Sequence, residues 1–139
     1  MMACAEKFGA GAVRNILRHN RREIEHSSNH DIDPKRLERD YILSPDRGMT
    51  EYDYFLQRKS ELYCYNRNDV KVMVGWIVTA PQDLDPERYD NFFYATYNFL
   101  ANRYGEENVV QAIVHDDEGG QPHLHFCFVP VVEDPKHEQ

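Results

Sequence analysis

Three histidines late in the chain have the spacing of metal ligands. His123 and His125 sit one residue apart in the run His123-Leu124-His125-Phe126-Cys127-Phe128, and His115 closes the earlier β-branched run that begins at Val109. Successive side chains of a strand alternate between faces, so His123, His125 and Cys127 share one face and Leu124, Phe126 and Phe128 the other. If the two runs pair as antiparallel strands across Asp116 to Pro122, His115 converges on the other two histidines. Three imidazoles with coordination positions left open suit a catalytic divalent ion better than a closed structural one, and such an ion acts as a Lewis acid toward an oxygen ligand. His-x-His by itself is more simply a half-buried polar alternation; the third histidine, with Asp117 and Glu118 between, favours the metal. Glu118 could orient an attacking group, serve as a general base or pair with a ligand histidine, or it could be a solvated loop carboxylate. Cys127 could be a soft ligand, but a small apolar residue packed beneath the site is the preferred reading.

A second polar set lies near the start of the chain. A helix is expected from about Gly11 to Glu25. At 100° per residue Val13, Ile16, Leu17, Asn20 and Ile24 form a mostly apolar stripe, while Asn15, His19, Arg22 and His26 cluster on another face. A histidine on an exposed helical face is ordinarily just surface, so this polar stripe acquires meaning only from what accompanies it.

The elements that must position these residues are legible in outline. Ser27 to Pro34 reads as a loop, Tyr41-Ile42-Leu43 as a short extended stretch, Ser44-Pro45-Asp46 as a turn, and about Thr50 to Tyr63 as a helix with Thr50 as N-cap. Lys71 to Thr79 is β-branched and aromatic and bounded by turn residues, as an interior strand is. Asp85-Pro86 opens a helix whose core side carries Tyr89, Phe93, Tyr97, Leu100 and Tyr104, with Gly105 as its C-cap. Val109 to His115 and His123 to Val132 complete the strands. The expected fold is α+β, a central antiparallel sheet with flanking helices.

Composition narrows the class. At 139 residues, with 41% hydrophobic and 29% charged, the chain has the size of one domain and the composition of a globular one. The three cysteines Cys4, Cys64 and Cys127 are odd in number and far apart, which fits free thiols in a reducing compartment. No apolar run is long enough to span a bilayer and the opening residues lack a secretory core, so a cytoplasmic location is expected. The net charge of −8 argues against general nucleic-acid binding. It is unevenly distributed, however, because Lys7 to Arg22 contains five basic residues and no acidic one.

The run His115-Asp116-Asp117-Glu118-Gly119-Gly120-Gln121-Pro122-His123-Leu124-His125, continuing to Val129-Pro130, resembles the metal motif H-x-D-E-x-x-P-H-x-H of plasmid mobilization relaxases of the Mob/Pre (MobV) family, within the HUH endonuclease superfamily. His19-Asn20-Arg21-Arg22 is similar to their H-N-x-R motif, and Asn29 to Pro34, leading to Tyr41, to the N-x-D-I-[DN]-P stretch that follows it. The one departure is an extra residue between Glu118 and Pro122, an insertion that a hairpin loop accommodates at small entropic cost.

The resemblance implies a metal-dependent, site- and strand-specific nicking enzyme acting in plasmid mobilization, conjugation and DNA recombination through a covalent protein–DNA intermediate. It implies a divalent ion, Mn²⁺ or Mg²⁺ or another first-row ion, on His115, His123 and His125. His19 is the implied nucleophile, Tyr41 the reserve because most HUH enzymes use tyrosine, Arg22 a phosphate or leaving-group contact, and Glu118 an auxiliary carboxylate. Arg14, Arg18, Asn20 and Arg21 are the expected DNA contacts, and single-stranded or supercoiled plasmid DNA at an origin of transfer is the expected partner. Family members are usually longer, so residues 1–139 are expected to be one catalytic domain from the N-terminal part of a longer protein or a truncated copy. A rolling-circle replication initiator and a small-nucleotide metal hydrolase are the competing readings.

Overall fold

The computed structural model describes residues 2–21, 41–61, 71–116 and 121–131. The elements are β1 (Met2–Gly9), α1 (Ala10–Asn20), β2 (Tyr41–Ile42), α2 (Glu51–Ser60), β3 (Lys71–Thr79), α3 (Tyr89–Tyr104), β4 (Val109–His115) and β5 (His123–Phe128). The strands form one antiparallel sheet in the order β1-β3-β5-β4-β2. The two histidine-bearing strands are therefore neighbours, and both lie inside the sheet. No helix among the described residues is long and apolar enough to cross a membrane.

Each face of the sheet is covered, as alternating apolar residues require. On one face Phe93, Tyr97 and Leu100 of α3 pack on Leu124, Phe126 and Phe128. The Tyr104 ring stacks on Phe128 at 3.9 Å between centroids, and the Trp76 indole N–H donates to the Tyr104 hydroxyl at 3.3 Å. On the other face Val13 and Leu17 of α1 and Phe55 of α2 cover Met73, Val110 and Cys127. The end signals act as their chemistry dictates: Thr50 accepts from the Asp53 N–H at 3.0 Å, Asp85 from the Glu87 N–H at 3.2 Å, and Gly105, at φ +92°, ends α3.

Two features depart from expectation. The first described element is a strand, not the helix, and the helix itself runs Ala10–Asn20, with Arg21 as its C-cap. Nothing in Ala3 to Lys7 alternates strongly, and those residues stay exposed; β1 exists because the outer edge of β3 offers it a ladder of backbone partners, from Met2 against Thr79 to Gly9 against Lys71. β5 is also shorter than expected, ending at Phe128.

The other departure is a β-bulge. The β4/β5 register shifts between Val109, opposite Phe128, and Gln111, opposite Cys127. Val109 faces α3, whereas Val110 faces α1 and α2, and Gln111 follows it to the same side. A bulge reverses the phase of everything downstream, so Gln111, Ile113 and His115 look toward α1. Arg47 holds the distortion by donating to Val109 O at 2.6 Å and Glu106 O at 2.8 Å, its guanidinium 3.8 Å from the centroid of the Tyr54 ring. Hydrogen bonds from charged donors are among the stronger ones in proteins, and the Val109 bond is partly buried, so Arg47→Met should lower the unfolding free energy by roughly 1.5–3 kcal/mol. Urea denaturation would measure this, and a loss below about 0.5 kcal/mol, the usual range for surface substitutions, would show that the bulge does not depend on Arg47.

Candidate active site

The β4/β5 register builds a three-rung ladder on the α1 face: His115 opposite His123, Ile113 opposite His125, and Gln111 opposite Cys127. The three imidazoles cluster at its end. Ring centroids are 5.6 Å apart for His115 and His123, 4.4 Å for His115 and His125, and 4.9 Å for His123 and His125, and one nitrogen of each lies within 4.8 Å of the others. Two nitrogens sharing an ion at about 2.1 Å each are at most about 4.2 Å apart, so small torsional changes close the set.

The surroundings of His115 favour a cation. Its Nε2 is 2.6 Å from the carbonyl oxygen of Asn20, the last residue of α1. A carbonyl only accepts, so Nε2 carries the hydrogen and Nδ1 presents its lone pair, the usual way an outer hydrogen bond fixes a ligand tautomer. That carbonyl is one of the four left without a helical partner at a helix C-terminus, where the backbone dipole ends in partial negative charge. The donor set, its fixed tautomer and the helix end together fit a divalent first-row ion.

Asn20 is not a surface DNA contact. It is 2% exposed, and its Nδ2 donates to Gln111 Oε1 at 2.9 Å and toward Cys127 Sγ at 3.8 Å. Its place on the apolar stripe of α1 decided its position; its Nδ2 and its backbone carbonyl are spent on the sheet, while its Oδ1 is buried without a hydrogen-bond partner among the described residues. Cys127 is 2% exposed; burial, then the charge of Glu51, pushes its thiol up to about 12 despite the Asn20 contact, so it is neutral packing beneath the histidines and not a thiolate ligand.

His19, half-buried, immediately precedes the residue whose carbonyl holds His115, and the packing of α1 thus brings the first motif to the second. Arg14 and Arg18 are exposed on α1, Arg14 lying over the Tyr52 ring at 5.8 Å, and with Leu17 and Arg21 they line a shallow groove against the start of α2. Arg21 is committed in part to Glu51, with Nε at 2.9 Å from Oε1. Tyr41 is excluded from the centre. It pairs with Val114, packs in the α3 cluster on the opposite face, and donates to Asp90 at 2.9 Å. Burial, then the hydrogen bond and charge of Asp90 and the charge of Asp116, holds its phenol above the ordinary value, which disfavours the phenolate an attack would need. Arg22, Glu118, Asp117, His26, His30, Asn29 to Pro34, Cys64 and Val132 lie outside the described residues. Two residues of the site had no sequence signal: Gln111 and Glu51, whose roles depend on partners 30 or more positions away.

The sheet bears a cluster of three histidines and meets a helix end that carries a fourth. The chain belongs to the plasmid recombination enzyme family, Mob_Pre, which it matches over residues 1–139. It is 34% identical over 139 residues to the plasmid recombination enzyme of Streptococcus agalactiae, covering 94% of this chain and 28% of that protein. It is 35% identical over 141 residues to the type 1 enzyme of Staphylococcus aureus, covering 96% of this chain and 35% of that one. The chain thus spans only about a third of these relatives. Among solved structures it is similar to the Mn-bound MobM relaxase domain in complex with plasmid pMV158 oriT DNA, with a TM-score of 0.80, 34% identity, and coverage of 99% of this chain and 74% of that one. These relatives favour the mobilization reading over the replication-initiator and nucleotide-hydrolase ones.

Removing one imidazole should leave too few ligands for tight binding. His123→Ala and His125→Ala are each expected to weaken Mn²⁺ binding by about tenfold or more, read by titration with electron paramagnetic resonance. Unchanged affinity in both would remove the metal from this site.

Proposed function

We propose that this chain is a single relaxase catalytic domain that nicks one strand of plasmid DNA at an origin of transfer, with His19 as nucleophile and a divalent ion, most simply Mn²⁺, held by His115, His123 and His125. The observation that carries this reading is the hydrogen bond between the Asn20 carbonyl and His115, which joins the H-N-x-R helix end to the histidine face. The Mn-bound, DNA-bound state of the similar MobM domain supports it. The reading places the protein in the cytoplasm, where plasmid DNA is.

An ion on the three histidines supplies Lewis-acid polarisation of a phosphate oxygen. A ring nitrogen of His19 attacks the scissile phosphorus, a P–N bond forms to the 5′-phosphate side, the P–O3′ bond breaks, and the departing oxygen leaves as a 3′-hydroxyl after taking a proton. Arg22, the last residue of the H-N-x-R motif, is assigned to a phosphate oxygen or the leaving group, and Glu118 to orienting or accepting a proton. Arg14 and Arg18 hold the backbone of the strand, and the groove beside them gives it a path.

Two experiments test this. The protein is incubated with Mn²⁺ and a supercoiled plasmid carrying the cognate origin, and the DNA-linked peptide is mapped. A histidine phosphoramidate is labile to acid and stable to base. His19→Ala should abolish the adduct with Mn²⁺ and DNA affinity kept, and Tyr41→Phe should keep it; an adduct that persists in His19→Ala excludes His19. Second, replacing Arg14 or Arg18 with alanine should reduce the salt dependence of single-strand affinity, with the slope of log K against log salt falling by about 0.7 for each. An unchanged slope would place the strand elsewhere.

A further inference from the structure

We propose that Gln111 is a positioning residue for the nicking reaction, the side chain that sets His19 against the metal centre; the inference rests on His19 as the attacking group. Gln111 is fully buried and its amide is fully used. Nε2 donates one hydrogen to the carbonyl of Leu17 at 3.0 Å and the other to Glu51 Oε1 at 2.7 Å, while Oε1 accepts from Asn20 Nδ2 at 2.9 Å. Its two contacts on α1, Leu17 and Asn20, bracket His19. The Asn20 carbonyl adds a third point of attachment through His115, which lies on the same strand and the same face as Gln111. β4 therefore fixes the final turn of α1 at Leu17 and at both polar ends of Asn20, and the backbone of His19 cannot shift relative to His115 without breaking one of these bonds.

The chemistry requires glutamine at this position. The pocket needs two donors and one acceptor on one flat group. Glutamate would set an oxygen against Leu17 O and against the Glu51 carboxylate, and an apolar side chain of similar volume would leave Leu17 O and Asn20 Nδ2 without this partner. Glu51 decides which way the amide faces: its carboxylate, held by Arg21 at 2.9 Å, repels Oε1 and attracts Nε2, which turns Oε1 toward Asn20. Glu51 belongs to the first turn of α2, so that helix contributes to the nucleophile's placement without reaching the centre.

The test compares wild type, Gln111→Met, Gln111→Glu and the double exchange Gln111→Glu/Glu51→Gln. Single-turnover cleavage is measured on an oligonucleotide spanning the nick site mapped for the wild-type chain. Bound Mn²⁺ is counted by paramagnetic resonance and DNA affinity by fluorescence anisotropy on the same samples. Misplacing a nucleophile by about 1 Å costs on the order of 100-fold in rate, so Gln111→Met should slow cleavage per Mn-loaded molecule by roughly 10- to 100-fold, with DNA affinity within about twofold of wild type. Gln111→Glu should be slower still, and the double exchange, which restores a donor facing a carboxylate at the 51/111 contact, should recover part of the rate. Wild-type cleavage per Mn-loaded molecule in Gln111→Met overturns the proposal. If that variant fails to fold, the exchange pair decides, and a double variant no faster than Gln111→Glu overturns it as well. Mapping the wild-type adduct separates the underlying reading: an adduct on another residue refutes His19 itself, whereas a His19 adduct with a Gln111-independent rate refutes only the positioning role.

Discussion

The site depends on the antiparallel register of β4 and β5. Side chains alternate with a period of two, so a slip of one residue would move His115 to the α3 face while His123 and His125 stayed where they are. The bulge at Val110 sets that phase. Upstream of it Val109 belongs to the core under α3, and downstream His115 belongs to the histidine face. Arg47, from the turn before α2, donates to the Val109 carbonyl at the bulge, so a residue remote from the histidines meets the backbone where their phase is set.

The second constraint is the docking of α1. Two carbonyls in the last turn of α1 accept from side chains of β4: Asn20 O, at the helix end, from His115, and Leu17 O, which also accepts from the Arg21 N–H at 3.1 Å, from Gln111. An unpaired buried carbonyl costs about 1–3 kcal/mol, so the bond from His115 to Asn20 O favours this docking of α1. The same contacts hold the backbone on both sides of His19 against the strand that carries His115. One set of hydrogen bonds thus serves both the packing of α1 and the orientation of the His115 ring. The acidic net charge coexists with a basic patch, since α1 carries Arg14 and Arg18 exposed.

The amino-acid sequence by itself determined β3, β4, β5, α3 and the shared face of His123 and His125, because period-two and period-3.6 apolar patterns report local burial directly. Two motifs in order also identified the family. Asn20 was legible in two ways, as part of the H-N-x-R motif and as part of an apolar stripe, and its burial followed the stripe. Tertiary structure alone decided β1, which takes its hydrogen bonds from the edge of β3; the bulge that turns His115; the exile of Tyr41 to the opposite face; and the roles of Gln111 and Glu51. The physical reason is the same for each. Hydrophobic periodicity is a property of neighbours along the chain, whereas a buried polar group is defined by its partner, and Gln111 meets Leu17 and Asn20 from 94 and 91 positions away.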